Sequence, residues 1–323
     1  MKLTRYAIIM IAALSTSAAS AADKVIPLWD GITENLTQTL IVMQGLKDMG
    51  YDVAEPVQTQ IQLGYVAIAT GDATFFAASA APLHDKYIEE NGGAARLTRL
   101  GHISADNLQG YLIDKKTADA YGIKYLEDLK DPEKAKLFDI NGNGKADLYG
   151  CEPGWGCERV IEHHLDAYGL RDTVEHNQGG YFAIIPDAIE RIKEGKPTLY
   201  YTWTPLWVSS ILRPGHEVTF LNVKETQLPD GLKSDTTVPG LGNLGFSKIQ
   251  QSIVAATSFI NDNPRAKKLF ELIQIPIEDS NSQNLRIYKG ESSPSQVQEL
   301  AKEWIDKNKS TWDKWIADAK AAK

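Results

Sequence analysis

The feature that most constrains the fold is an alternation of short apolar segments with amphipathic ones over the first hundred residues. The apolar runs predict strands ending near Leu28, at 51–53 and at 73–78. The intervening segments predict a helix at 33–49 that buries Leu36, Leu40, Met43 and Leu46, a helix at 61–70, and a helix opened by Pro82. Continuous apolar strands alternating with helices are typical of an α/β sheet covered on both faces.

The remainder of the chain predicts a second α/β lobe inserted into the first. A new α/β segment runs to about residue 241, a return strand follows at 250–260, and the chain ends in helices. In one of them Val297, Leu300, Ala301, Trp304 and Ile305 share a face, so Trp304, Trp312 and Trp315 are interpreted as packing residues. We expect lobe 1 at 22–111 and 246–323, lobe 2 at 112–245, and two crossings that form a hinge.

Residues 1–21 have the composition of a cleavable secretory signal: a basic start, a short apolar run and small residues at the end. Export to an oxidising compartment predicts a disulfide between Cys151 and Cys157, the only two cysteines, which enclose a Pro-Gly-Trp-Gly turn. A ring this small should mainly fix the turn. A metal-binding or redox role would need a C-x-x-C spacing or reducing surroundings.

The charge and the motifs restrict the classes of function. The net charge is −8 and becomes −10 when Lys2 and Arg5 leave with the signal, which argues against nucleic acid or an anionic membrane as partner. The sequence has no G-x-S-x-G, no H-E-x-x-H and no Walker loop. We therefore expect no enzyme activity and no cofactor.

The segment "DINGNGKADLYG" is similar to a calcium loop, with oxygen ligands at Asp139, Asn141, Asn143 and Asp147. Its twelfth position is Gly150, where a calcium loop has a bidentate glutamate. We expect at most weak calcium binding and favour a loop closed by Asx turns.

Ligands of open α/β sheets lie beyond the carboxyl ends of the strands. Four segments of this chain fall at such ends, and three carry tryptophan: 29–30, 79–84, 154–157 and 200–203. Tryptophan in strand-end turns favours a ligand site over packing alone.

Several stretches together resemble one known family: "GDATF", "PLHD", "GYLIDKKTAD", "CEPGWGCE", "HNQG" and "EGKPTLYYTWTP". They are similar to the glycine betaine/proline betaine-binding proteins of osmoregulatory ABC importers. The resemblance spans the mature chain. It implies a type II periplasmic-binding-protein fold, a periplasmic location, a small zwitterionic ligand and an ABC permease in the inner membrane as partner. We expect a monomer.

The resemblance also implies a site. Trp155 and Trp203 would be aromatic walls around a quaternary ammonium, while the backbone N–H groups of Gly156 and Cys157 and the side chain of His84 would hold the carboxylate. Ala80 stands where the family has a third tryptophan, and Trp29 is a candidate to replace that wall. A sulfonium zwitterion or a bulkier betaine is an alternative ligand, and a sensor with the same fold is an alternative role.

Overall fold

A computed structural model describes residues 24–323, so the predicted signal at 1–21 lies outside the described residues. The strands are β1 Pro27–Trp29, β2 Val57–Gln58, β3 Phe75–Ala81, β4 Leu97–Asn107, β5 Gln109–Asp114, β6 Ala146–Tyr149, β7 Val174–Asn177, β8 Leu199–Trp203, β9 Val218–Phe220, β10 Thr237–Val238, β11 Gly242–Asn243 and β12 Ile249–Ala256.

The helices are α1 Thr33–Asp48, α2 Ile61–Thr70, α3 Asp85–Glu90, α4 Lys115–Tyr121, α5 Pro132–Ala135, α6 Gly156–Ala167, α7 Tyr181–Lys193, α8 Val208–Ile211, α9 Thr257–Asp262, α10 Pro264–Leu272, α11 Ile277–Tyr288, α12 Pro294–Lys307 and α13 Lys309–Ala321. Short 3₁₀ turns lie at 93–95, 126–130, 136–138 and 229–231. None of the helices formed by residues 24–323 is long and apolar enough to cross a bilayer.

Two five-stranded sheets of matching topology define the two lobes. The sheet of lobe 1 has the order β2-β1-β3-β12-β4, and the sheet of lobe 2 has the order β7-β6-β8-β5-β9. In each sheet the first three strands are parallel to one another and the last two pairings are antiparallel. The chain passes between the sheets at Leu108 and again at 244–248, which gives the two predicted crossings. The predicted boundary at residue 111 falls inside β5, a strand that pairs only within lobe 2.

Two details of lobe 1 differ from the sequence prediction. Residues 51–53 form only a bridge between Val53 and Val25, and the paired strand is β2. Pro56, between them, has no N–H to donate to the ladder. In α1, Leu36 and Leu40 are half-buried, whereas the polar residues Glu34, Thr37 and Gln38 are buried along with Met43 and Leu46.

The core predictions for the terminal helices are confirmed. All five residues of the predicted face of α12 are buried, and Trp304 and Trp312 pack in the apolar core of lobe 1 with Trp315 at its margin. These tryptophans hold the helices against the sheet, whereas Trp155 and Trp203 lie near the carboxyl ends of strands in lobe 2.

Candidate functional site

A small cavity lies between the two lobes, at the carboxyl ends of several strands. Its volume is about 70 Å³. The lining comes from both lobes: Asp30, Ile32, Asn35, Ile61, Ala78, Ala80, Leu83, His84, Asn107, Ile249 and Gln251 from lobe 1 and the crossings, and Trp155, Gly156, Cys157, Tyr201, Trp203 and Thr204 from lobe 2. The cavity brings together every predicted ligand-binding residue except Trp29.

Two tryptophans form an aromatic corner in this cavity. The rings of Trp155 and Trp203 meet edge to face, with centroids 5.7 Å apart and planes at 77°. Tyr181 supports both rings from behind, at 6.3 Å from Trp155 and 4.7 Å from Trp203. Both indoles line the cavity with their planes nearly perpendicular, and an aromatic face beside a cation attracts it.

The N-terminus of α6 supplies hydrogen-bond donors beside this corner. The helix begins at Gly156, so the N–H groups of Gly156 and Cys157 have no carbonyl one turn earlier within the helix. The helix dipole adds partial positive charge at the same end. Cys157 is bonded to Cys151 with their Cα atoms 6.1 Å apart, so the predicted disulfide is present and closes the turn that leads into the helix.

His84 adds a side-chain donor whose tautomer follows from its contacts. Its Nδ1 accepts a hydrogen bond from the backbone N–H of Ala80 at 3.1 Å. Burial, and then the nearby Arg99 and Arg159, lower the pKa of His84 to about 3. The ring is therefore neutral, and because Nδ1 is an acceptor, the proton is on Nε2. The cavity thus receives an N–H donor and no added positive charge.

Two carboxyl groups lie close together in lobe 1: Asp30 lines the cavity, whereas Glu34 lies outside the lining. Asp30 follows β1 and is half-buried; burial raises its pKa to about 6 despite hydrogen bonds from Asn35 and from the backbone of Ile32. Glu34, one turn into α1, is buried, and desolvation raises its pKa to about 7. Asp30 could have been found from its place at a strand end, next to the selected Trp29.

Trp29 does not line the cavity. It is half-buried at the end of β1, and its neighbour Asp30 is the residue that reaches the lining. Leu28 packs inward against Ile61 in the lobe 1 core. Since successive side chains of a strand point to opposite faces, Trp29 faces away from that core. The space beside Ala80 is bordered by polar groups instead of a third indole.

In the loop at 139–147 the carboxylates already have hydrogen-bond donors. Asp139 accepts from the backbone N–H groups of Gly142, Asn143 and Gly144, and Asp147 accepts from those of Ile140 and Asn141. The expected Asx turns are made by Asn141 and Asn143, whose Oδ1 atoms accept from the backbone N–H groups of Asn143 and Lys145. Among residues 24–323 no cluster of three or more potential metal ligands is found. Weak calcium binding at Asp139, Asn141, Asn143 and Asp147 stays a prediction.

Direct contacts close the two lobes over the cavity. The carbonyl oxygen of Gly154 accepts hydrogen bonds from Tyr87 Oη at 2.7 Å and from the Gln62 amide, and Arg159 donates to the carbonyl of Leu83 at 2.9 Å. Gly156 lies so close to lobe 1 that a Cβ there would be 2.7 Å from Leu83 Cβ. The structure is therefore a closed form.

Comparison with known proteins agrees with this geometry. The family model "Substrate binding domain of ABC-type glycine betaine transport system" (OpuAC) matches residues 23–307. The chain belongs to this family. It is similar to the glycine betaine-binding periplasmic protein OusX of Dickeya dadantii, with 46% identity over 96% of this chain and 95% of OusX. It is 47% identical to the glycine betaine/proline betaine-binding periplasmic protein of Escherichia coli, over 92% of this chain and 90% of that protein.

Solved structures show the same fold at low identity. A choline-binding protein of an ABC transporter, in complex with choline, superposes with a TM-score of 0.72 and 16% identity over 92% of this chain and 96% of the other. Lactococcal OpuAC in its closed form with glycine betaine gives a TM-score of 0.68 and 19% identity over 91% and 99% of the two chains. The type II periplasmic-binding-protein fold predicted from the sequence is thereby confirmed, and the OpuAC-family chain is a periplasmic solute-binding protein.

Proposed function

We propose that this OpuAC-family protein captures a betaine-type zwitterion in the interlobe cavity and delivers it to an ABC permease. The observation that carries the proposal is the position of the Trp155–Trp203 corner next to the donors of Gly156, Cys157 and His84 in one cavity. An aromatic corner suits an ammonium that lacks N–H groups, while neutral donors suit a carboxylate. The relatives' names, which refer to glycine betaine, support the same ligand class.

Roles follow from the geometry of the closed form. Trp155 and Trp203 hold the cation, and the N–H groups at the start of α6 hold the carboxylate together with His84 Nε2–H. The ligand contacts residues of both lobes, so it stabilises the closed form over the open one, and a closed receptor is the state that a permease can distinguish. Nothing in this scheme requires bond breaking, so the protein acts by binding and release.

Titration calorimetry of the protein purified from the periplasm tests the proposal. The panel is glycine betaine, proline betaine, dimethylsulfoniopropionate and a bulkier betaine such as carnitine. Trp203→Ala should weaken the best ligand about 5- to 30-fold, because one aromatic face contributes roughly 1 to 2 kcal/mol to binding a desolvated cation. Trp315→Ala, which removes a half-buried indole on α13, is the matched control and should leave Kd unchanged.

Absence of binding by every zwitterion of the panel, or an affinity that Trp203→Ala does not change, would contradict the proposal. Delivery is tested separately by uptake of the labelled ligand into cells that express the permease with and without this protein. Binding without receptor-dependent uptake would favour a sensor.

A further inference from the structure

His176, which opens the segment "HNQG" near the end of β7, connects the two arms of the disulfide turn. Its Nε2 accepts a hydrogen bond from the backbone N–H of Cys151 at 2.9 Å, and its Nδ1 lies 2.7 Å from Glu162 Oε1 on α6. Cys151 leads into the turn and α6 follows it, so one imidazole holds both arms. The ring lies outside the lining of the ligand cavity, and any effect on the ligand must pass through the turn.

The contacts of this ring fix its protonation. Glu162 also accepts hydrogen bonds from the side chains of Arg171 and Gln178. Although partial burial acts in the other direction, the hydrogen bonds from His176 and Arg171 lower the pKa of Glu162, which is therefore ionised and can only accept. The proton of the imidazole is consequently on Nδ1. Burial lowers the pKa of His176 in spite of Glu162, so at pH 7 Nε2 is an unprotonated acceptor for Cys151.

The contact between His176 and Cys151 depends on Gly150, the residue that ends the calcium-like loop. A Cβ at position 150 would lie 2.0 Å from His176 Nε2 and 2.1 Å from its Cδ2. Atoms cannot approach so closely, so any side chain at this position would push the imidazole away from Cys151. The close approach gives a physical reason for glycine where a calcium loop has glutamate.

The N–H group of Cys151 needs this acceptor because Cys151 is 0% exposed. A buried donor that loses its acceptor destabilises the conformation that buries it, so without His176 the turn would shift to bring this N–H to water. The disulfide would carry such a shift to Cys157. The closed form tolerates little movement there, because Gly156 already packs closely against Leu83 of lobe 1.

We propose that His176 is a positioning residue for ligand binding, which acts through the N–H of Cys151 to hold Trp155 and the donors of Gly156 and Cys157 where the ligand meets them. The inference rests on the proposed function and deepens it by adding a residue that the ligand does not touch. The disulfide limits the separation of Cys151 and Cys157, while the imidazole sets the orientation of the turn. A purely structural histidine would stabilise lobe 2 without changing Kd.

Two substitutions of His176 separate the roles of its two nitrogen atoms. Asparagine places its amide near the position of Nδ1, so it can keep the contact with Glu162 but cannot reach Cys151. Glutamine is long enough for its Oε1 to take the place of Nε2 and accept from Cys151. His176→Asn should weaken binding about 5- to 150-fold, because the bound form must then bury the N–H of Cys151 without an acceptor. His176→Gln should bind at least three times more tightly than His176→Asn.

The measurement is calorimetric titration of the full mature protein with glycine betaine, or with the tightest zwitterion of the panel if glycine betaine does not bind. Melting curves without ligand establish that each variant is folded at the temperature of the titration. His216→Asn is the control: this exposed histidine of lobe 2 undergoes the same change of side chain and should leave Kd unchanged.

Gly150→Ala tests the same contact without altering His176. It should also weaken binding, because its Cβ displaces the imidazole. In the His176→Asn background the shorter side chain has already vacated the position of Nε2, so adding Gly150→Ala should weaken binding less than threefold further. Two independent packing defects would instead multiply their effects on Kd.

A Kd for His176→Asn within twofold of the unaltered value overturns the inference, as does a His176→Gln variant that binds no more tightly than His176→Asn. Fully multiplicative effects of Gly150→Ala and His176→Asn also overturn it. If His176→Asn does not fold, Gly150→Ala decides, and a Kd within twofold of the unaltered value contradicts the positioning role. Each of these results leaves the proposed function intact as long as the unaltered protein binds a zwitterion of the panel. Binding of none of them removes the proposed function itself.

Discussion

Gly156 is the residue at which lobe closure can be tested with a single methyl group. A Cβ at this position would lie 2.7 Å from Leu83 Cβ and 3.0 Å from Leu83 O in the closed form. Ordinary contacts between such atoms are 3.4 Å or longer, so lobe 1 would have to retreat by more than half an ångström. The carbonyl is backbone and cannot rotate out of the way as a side chain would.

Gly156→Ala should therefore weaken ligand binding while leaving the open form intact. Forced overpacking costs about 1 to 3 kcal/mol, which corresponds to about 5- to 150-fold in Kd if the whole cost falls on the closed form. Alanine is a better helix former than glycine at the start of α6, so the melting temperature without ligand should not fall. Calorimetry measures Kd, and a melting curve without ligand measures the melting temperature.

Gly180→Ala is the matched control. Gly180 also precedes a helix in lobe 2, has a φ of −57°, and a Cβ there would meet nothing closer than Ala183 Cβ at 3.8 Å. Its Kd should equal that of the unaltered protein. A Kd for Gly156→Ala within twofold of the unaltered value would refute the reasoning, because it would mean that the ligand is held without the closure seen here.

Three further outcomes concern residues selected from the sequence. Trp29→Ala should leave Kd within about twofold, since Trp29 lies outside the lining; a loss above fivefold in titration calorimetry would restore it as the third aromatic wall. Reduction of the Cys151–Cys157 disulfide should weaken binding more than it lowers the melting temperature, because a ring of this size constrains the unfolded chain little; equal effects on both would show that its role is global stability. Chelation of calcium should shift the melting temperature by no more than a degree or two, and a shift of many degrees would reveal a genuine site at Asp139.

The sequence predicted those parts of the fold that depend on local periodicity. The helix at 61–70 and the buried face of α12 follow from the spacing of apolar residues, and the structure has both. The predicted buried face of α1 is confirmed at Met43 and Leu46 but was wrong at Leu36 and Leu40, because spacing assumes that the apolar face turns inward along the whole helix. Here the first turns of α1 border the polar side of the cavity, and Glu34 is buried in place of Leu36.

The aromatic and donor residues of the candidate site could be predicted from the sequence, but its polar lobe 1 residues could not. Trp155 and His84 belong to local motifs that resemblance can identify, whereas the polar residues Asp30 and Gln251 of the cavity lining are 221 positions apart. No local pattern links such positions; strand pairing alone brings them together. The available signal was a glutamine pair, "QQ", opening an otherwise apolar return strand, since an amide in a buried strand needs partners.

Glu34 allows a prediction of how the free energy of unfolding changes with pH. It is 7% exposed. Desolvation, and next the neighbouring Asp30, raise its pKa from 4.5 to about 7; across the interface Glu34 in turn raises the pKa of Tyr181. Above pH 7 the folded protein must hold this carboxylate charged in a desolvated place. Below pH 4.5 the group is protonated in both the folded and the unfolded chain.

The free energy of unfolding contributed by Glu34 should therefore rise as the pH falls from about 7 to about 4.5, opposite to the behaviour of a salt-bridged carboxylate. Because the pKa rises from 4.5 to about 7, this contribution is at most about 3 kcal/mol. Glu34→Gln should accordingly stabilise the protein by about 1 to 3 kcal/mol at pH 8 and by nothing at pH 4, in denaturant titrations at both values. Glu278→Gln, an exposed glutamate in the first turn of α11, is the control and should change neither. If Glu34→Gln destabilised the protein at pH 8, Glu34 would have to be a satisfied anion in the folded protein, and desolvation could not be the dominant effect on its pKa.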